Sequence, residues 1–377
     1  MNWSEAIEHQ WPYLLQFLPK REVIERLAAE MGAFRRVRQI GSAQTLLRLA
    51  LVYGFCGYSL RATAAWAEAA GVAHVSDVAL LKRFRASAGW LLALLSTKIE
   101  SRVPPPLSIS PSAFRIRLLD ATTVSKPGST GTDWRIHIAY DLGERRITSL
   151  EITDRSGGES LQRFNITKGE LAVADRAYAT RTGFASVLSS GGNFLVRLPW
   201  SNVPLEHPTG TPFDLLAWLR SLPEATPSDI SLRVRLPKGS PAAVRVLAIR
   251  KSEIATEHAR EKALRNQSKH GEKTDIRSLE AAGYVILITN LEADQLSTSA
   301  GLDLYRFRWQ IEICFKHLKS LIALDALPAK GSQLAITHIA AKLLAALMIE
   351  DFTARYVSFF PWGYPIERTP DFILATP

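Results

Sequence analysis

Hydrophobic periodicity changes once along this chain, and the change restricts the folds open to it. Up to residue 102, apolar side chains recur every three to four positions, as in LLRLALVYGFCGYSL, RATAAWAEAA and DVALLKRFRASAGWLLALLS. That is the period of helices. From 114 onward come short alternating or continuous apolar runs (FRIRLLDATTV, WRIHIAYDL, RRITSLEIT, ELAVADRAY, NFLVRL), the pattern of strands. Between the two lies VPPPLSISPSA, 103–113, rich in proline and serine and uncharged, which reads as a linker. The expected architecture is therefore an all-helical N-terminal domain, 1–102, followed by an α/β unit. Within the first, Gly71 sits where a helix should stop and Ser76-Asp77 offers the next N-cap.

In the second unit three antiparallel strands, the last two joined by a hairpin at Gly143, are followed by helix, strand, helix and strand. That succession makes a mixed sheet with flanking helices. Residues 199–282 break the alternation. They combine proline-rich loops, a strand pair (DISLRVRLP, AAVRVLAIR) and a polar stretch, and read as a β-rich insertion with its own small sheet. YVILIT at 284–289 resumes the core, and long helical patterns occupy 300–326 and 331–356. The α/β unit thus comprises 114–198 and 283–350, with 351–377 as a tail.

The chain has 377 residues, enough for two or three structural units, and 46 Lys+Arg against 36 Asp+Glu give a net charge of +10. A basic surplus of this size favours a polyanionic partner, most simply nucleic acid. Two distant cysteines, Cys56 and Cys314, exclude a disulfide framework or structural zinc and read as apolar filler. The first twenty residues lack the apolar core of a signal peptide, and no apolar stretch is long enough to span a membrane, so a cytosolic protein is expected. Lys82, Arg83 and Arg85 lie together on a helix that follows a short turn. This is the build of many DNA readers, and equally that of a solvated basic face.

Two carboxylates stand out because of what precedes them. Asp120 follows Ile116, Leu118 and Leu119, and Asp175 follows Leu171, Val173 and Ala174. Each is an acid at the C-terminal end of a buried-type strand, where open sheets build their sites. Acids gathered from neighbouring strands need neutralising, most readily by a divalent metal, although Asp is also a common strand-ending turn residue. A third acid lies in YRFRWQIEICFKHLK. Tyr305, Arg308, Glu312 and Lys319 fall within roughly 60° of one helix face over about 21 Å, with Lys316 on the same stripe. Phe307, Ile311, Leu318 and Ile322 supply the packing face. An acid among a hydroxyl and several cations suits a phosphodiester site; the same pattern also describes an amphipathic surface helix with Arg308–Glu312 and Glu312–Lys316 pairs.

Tyr305, two residues, Arg308, three residues, Glu312, six residues and Lys319 resemble the YREK signature of DDE transposases of the insertion-sequence-four type. LLDATTV around Asp120 resembles that family's first acidic motif and VADRAYAT around Asp175 its second, and the likeness runs from about Ser76 to Ile349. The resemblance implies a ribonuclease-H-like catalytic domain interrupted by a β-rich insertion. It implies that Asp120, Asp175 and Glu312 hold two Mg²⁺ (or Mn²⁺) ions, and that Tyr305, Arg308 and Lys319 grip phosphates beside the scissile bond. Lys316, Trp309 and Arg176 are the neighbouring contacts. The implied reaction is cleavage and strand transfer at terminal inverted repeats on double-stranded DNA, with a second copy in the synaptic complex.

In this family an insertion aromatic can stack on a flipped base; Trp200 and Trp218 are the candidates, and core packing is the ordinary role of such a Trp. The short tail after the last helix resembles a chain without the long C-terminal dimerisation domain of some relatives. His137 reads as structural, and His317 points off the YREK face. Two other readings remain open at this level: a DNA-binding remnant or repressor on the same scaffold, and a ribonuclease-H-like nuclease that does not join.

Overall fold

The computed structural model describes residues 3–102, 114–270, 275–328 and 331–356; the linker at 103–113 and the tail beyond 356 lie outside the described residues. The N-terminal region is helical throughout: α1 (Trp3–His9), α2 (Trp11–Leu14), α3 (Arg21–Glu30), α4 (Ala43–Gly54), α5 (Leu60–Ala69) and α6 (Asp77–Glu100). Ser42, Ser59 and Ser76 start the last three, each hydroxyl accepting from the backbone amide three residues on. Gly71, at φ +64°, turns the chain after α5 in a left-handed conformation that suits glycine.

Nine strands follow: β1 (Arg115–Val124), β2 (Trp134–Asp141), β3 (Arg146–Asp154), β4 (Glu170–Ala174), β5 (Asn193–Arg197), β6 (Leu205–Glu206), β7 (Ser228–Val234), β8 (Ala242–Arg250) and β9 (Tyr284–Thr289). They form one sheet in the order β3-β2-β1-β4-β5-β9-β8-β7-β6. β1, β4 and β5 run parallel and the other pairings are antiparallel. The β2–β3 hairpin forms as expected, but its left-handed residue is Arg145 (φ 52°) rather than Gly143.

The strands of 199–282 do not make a sheet of their own. β9 has two free edges, and β5 takes one while β8 takes the other. β8 is buried along most of its length, a continuous apolar strand of the kind found inside sheets. Arg245, 3% exposed, fixes this join: it donates to the carbonyls of Leu291 and Leu296 and pairs with Asp229 at 2.9 Å.

The sheet is covered on both faces, and successive residues divide between the two cores. Leu118, Val173, Leu195 and Leu287 face one core; Leu119, Ala174, Val196 and Ile288 face the other. Helices α7 (Arg181–Ser189) and α8 (Leu215–Ser221) cover the second face. The first also takes in α4, α6, α12 (Trp309–Ile322) and α13 (Ser332–Tyr356). The remaining helices are α9 (Glu253–His270), α10 (Ile276–Ala281) and α11 (Thr298–Arg306).

α13 joins the C-terminal part of the chain to the N-terminal helices. Its Ser332–Arg355 stretch is long and apolar enough to cross a membrane, yet 78% of its apolar window is buried inside the protein, as in a core helix. A Cβ on Gly54 would stand 2.6 Å from that of Ala341, so α4 and α13 touch there with no room for a side chain. Thr337 donates to the Phe84 carbonyl at 2.6 Å, and Lys98 and Arg102 pair with Asp351 and Glu350.

Candidate active site

The register between β1 and β4 ends at Leu119↔Ala174, which sets the next residues, Asp120 and Asp175, side by side. Asp175 follows its strand directly and caps a 3-10 turn, accepting from the Ala177 amide at 2.8 Å. Asp120 is not the last residue of its strand. β1 runs on to Val124 against β2, and Asp120 marks only the end of the parallel pairing. The start of β1 is held by ions: Arg117 donates to the Asn165 carbonyl at 2.9 Å and to Glu170, and Arg115 pairs with Asp141.

The segment carrying the third acid is two helices rather than one. Between α11 and α12 the amides of Phe307, Arg308, Gln310 and Ile311 bond to carbonyls three residues back instead of four. A 3-10 step eclipses positions i and i+3. Tyr305 and Arg308 are such a pair, and the guanidinium lies 5.9 Å from the Tyr305 ring centroid. The single stripe from Tyr305 to Lys319 therefore does not exist as a continuous helix face. What survives is the spacing within α12, where Arg308 stands just before the first residue and Glu312 lies one turn on.

Arg308 connects the two parts of the site. Its guanidinium pairs with Asp120 at 3.4 Å and with Glu312, while Asp120 also accepts from the Ala121 amide at 2.8 Å. Arg308 and Asp120 are mostly buried, whereas Glu312 is 56% exposed. Burial pushes the Asp120 carboxyl up to about 6, with Asp175 and Glu159 adding to the shift and Arg308 opposing it. Three carboxylates, Asp120, Glu312 and the adjacent Asp175, stand about the one guanidinium of Arg308. Carboxylate oxygens are the donors that hard divalent cations take, and an acid cluster in charge deficit fits such an ion. Among the described residues, however, no three metal-binding side chains converge on one point.

The other expected residues are distributed more widely. Lys316 is exposed and Lys319 half-buried, about 6 and 10 Å beyond Glu312 along α12. No ion pair joins Lys316 to Glu312 among the described residues. Trp309, the first residue of α12, is 51% exposed, and Arg176 is exposed beside Asp175. Lys82 and Arg85 are exposed on α6, while Arg83 turns inward, its guanidinium 3.5 Å from the Ala33 carbonyl. Trp200 is half-buried, bonded to Ser278 and stacked under Arg277; Trp218 packs on Phe213. His137 is fully buried and bonded to Thr153, and burial lowers it to about 4, so it is neutral at pH 7.

Two residues near the acids escape sequence reasoning. Glu159 lies in the loop after β3, its acidity weakened by burial first and then by Asp175, and it faces Arg135 at 3.9 Å. Tyr178 is fully buried with no hydrogen-bond partner for its hydroxyl, and burial together with Asp120, Glu159 and Asp175 disfavours its ionisation. The Glu159 loop has no period to betray it. Its one signal is Gly157, where a Cβ would stand 2.1 Å from the Thr153 hydroxyl, so the loop must lie flat on β3.

The family model for the transposase DDE domain matches residues 111–348, most of the α/β unit and the helices after it. The chain is 36% identical over 366 residues to the putative transposase InsL for insertion sequence element IS186A of Escherichia coli, spanning 96% of this chain and 98% of that one. The chain belongs to the DDE transposases of the insertion-sequence-four type. A second relative of this DDE transposase, that of insertion sequence element IS421 from Escherichia coli, is also 36% identical, over 96% of this chain and 98% of its own. Among solved structures, the piggyBac transposase synaptic complex with hairpin DNA superimposes with a TM-score of 0.43 at 9% identity, covering 97% of this chain and 86% of that one. As a family member the protein is a DNA-cleaving and strand-transferring enzyme.

Proposed function

We propose that this transposase moves its insertion sequence by metal-dependent phosphoryl transfer at terminal inverted repeats, on a ribonuclease-H-like arrangement whose acids are Asp120, Asp175 and Glu312. The observation that carries the reading is Arg308, which pairs with Asp120 of the sheet and Glu312 of α12 at once, beside Asp175. Asp120, Asp175 and Glu312 would hold two Mg²⁺ or Mn²⁺ ions, which supply activation of water or a 3′-hydroxyl and charge for the leaving oxygen.

The chain's own residues would do the rest. Arg308 offsets part of the acids' charge, and its guanidinium, backed by the Tyr305 ring, is available to a phosphate once they are otherwise neutralised. Lys316 and Lys319 continue the positive charge along α12, where they would hold the backbone of double-stranded DNA leading away from the scissile bond. Exposed Trp309 and Arg176 flank the acids as secondary contacts. The helices of 1–102, with Lys82 and Arg85 outward, would bind the repeat, and two copies would pair the two ends in a homodimer. The half-buried Trp200 and Trp218 are the insertion aromatics available for base stacking.

Strand cleavage and joining on a labelled duplex bearing the element's terminal repeat, in Mg²⁺ against EDTA, tests the reading. Glu312→Gln abolishes cleavage and leaves duplex binding nearly intact, since it removes an acid and no phosphate contact. Lys319→Ala weakens binding and lowers its salt slope by about one. Retained cleavage by the Glu312 variant would remove the third acid from the assignment, and cutting without joining would leave a nuclease.

A further inference from the structure

We infer that the cleft between the starts of α5, α6 and α13 is a second phosphate site, which takes the DNA backbone at a distance from the acids. The inference rests on the reading that the protein acts on DNA, and the cleft shares no residue with the Asp120–Arg308–Glu312 cluster. It is open, about 670 Å³ in volume, and lined by Tyr53, Ser59, Arg61, Asp77, Arg85 and Gly331 among others. That is room for a length of sugar-phosphate chain.

Three features of the cleft suit an anion. Helices α5, α6 and α13 all begin at its walls, and helix starts carry partial positive charge even where, as in α5 and α6, a serine takes one of the first amides. Arg61 and Arg85 project into it from different helices; both are exposed, and among the described residues neither makes an ion pair or a side-chain hydrogen bond. Asp77 is the one carboxylate in the lining, and it accepts from the Val78 amide at 2.8 Å, so two arginines against one aspartate leave one positive charge over. The third feature is Tyr53. It is 2% exposed, with its ring packed against Phe84 at 5.0 Å and His338 at 5.2 Å, and its hydroxyl has no partner among the described residues.

Tyr53 lines the cleft, so a phosphate oxygen seated there would take this hydroxyl as a donor. Burial pushes the Tyr53 hydroxyl up to about 12, which keeps it protonated and able to donate at working pH. The walls combine the N-terminal helices with the start of α13. A backbone held there would be gripped by α5, α6 and the start of α13 at once.

The test is anisotropy of a fluorescent terminal-repeat duplex in EDTA, from low to moderate salt. The double variant Arg61→Ala/Arg85→Ala should lose about tenfold in affinity and lower the slope of log K against log salt by about two. Tyr53→Phe keeps the ring packing, and should weaken binding severalfold without changing the slope. Unchanged binding in both would overturn the proposal. In a second arm, melting of wild type and double variant is compared in inorganic phosphate and in chloride of equal ionic strength. Phosphate stabilisation that the double variant loses, with duplex binding unaltered, would assign the cleft to free phosphate and overturn its DNA role. Metal-dependent cleavage by the wild type is scored on the same duplex. Failure of the catalytic reading therefore shows separately.

Discussion

Asp120 pays for its position. Its carboxyl is held near pH 6 against an ordinary value of 3.8, mainly because burial disfavours the ionised form. A carboxyl raised in the folded state binds protons more tightly there than in the unfolded chain. Its favourable contribution is complete below about pH 4 and disappears as pH rises through 6. Asp120→Asn removes the ionised form and should stabilise the metal-free protein at pH 8 by about 1–2 kcal/mol, after allowance for partial solvation. Calorimetry should show a gain of a few degrees at pH 8 that shrinks away at pH 4, in a protein that no longer cleaves. Equal melting at both pH values would mean that burial does not burden this carboxyl. The neighbourhood of Asp120 and Asp175 is legible in the sequence because a buried strand run leads to each, although β1 continues past Asp120 to Val124. Glu159 and Tyr178 are not, since a loop glutamate and a tyrosine after a turn carry no periodic signal, and only the folded sheet brings them to Asp120.

At the level of elements, the break at Phe307–Arg308 was hidden for a definite reason. The segment has no Pro or Gly, its apolar residues keep helical spacing, and a 3-10 step uses nearly the same backbone angles as an α-helix. The far end of α12 is equally unannounced. Ala323 takes a left-handed conformation (φ 49°), and Lys342 of α13, only 3% exposed, donates to the carbonyls of Ala323 and Ala326. A buried ammonium thus fixes the end of the helix that carries Glu312 and Lys319. Burial lowers Lys342 from 10.5 to about 8. Between those values the unfolded chain binds more protons, so this group adds stability as pH rises through the window. Lys342→Met has no such titration. The wild type's melting advantage over it should therefore widen from pH 7.5 to pH 10, and amide exchange around 318–324 should be faster in the variant. A constant advantage across that range would show that Lys342 is not desolvated.

For the molecule as a whole, the change from helical to strand period was readable and so was the mixed sheet, because each depends on local pattern. The joining of β8 to β9 was not, since pairing partners some forty residues apart leave no mark on either run. Nor was the packing of α13 against α4 and α6, which depends on a glycine whose neighbour lies far along the chain. Gly54→Ala should cost about 1–3 kcal/mol, because its new methyl would meet Ala341 and the His338 carbonyl. Gly89, exposed on α6 with nothing near its Cβ position, gives the opposite expectation: Gly89→Ala should stabilise by about 0.5–1 kcal/mol. Urea titrations of the two variants decide it, and similar shifts would remove the close approach of α4 and α13.

The same contact has a consequence in time. α4 and α6 leave the ribosome within the first hundred residues, but the helix that covers their apolar faces begins only at Ser332. Until then the helices of 1–102 have no finished core, and the cleft beside Tyr53 lacks one of its walls. A growing or prematurely stopped chain would expose those faces and lack the finished cleft. The proposed phosphate site would be completed last, after the sheet that carries Asp120 and Asp175.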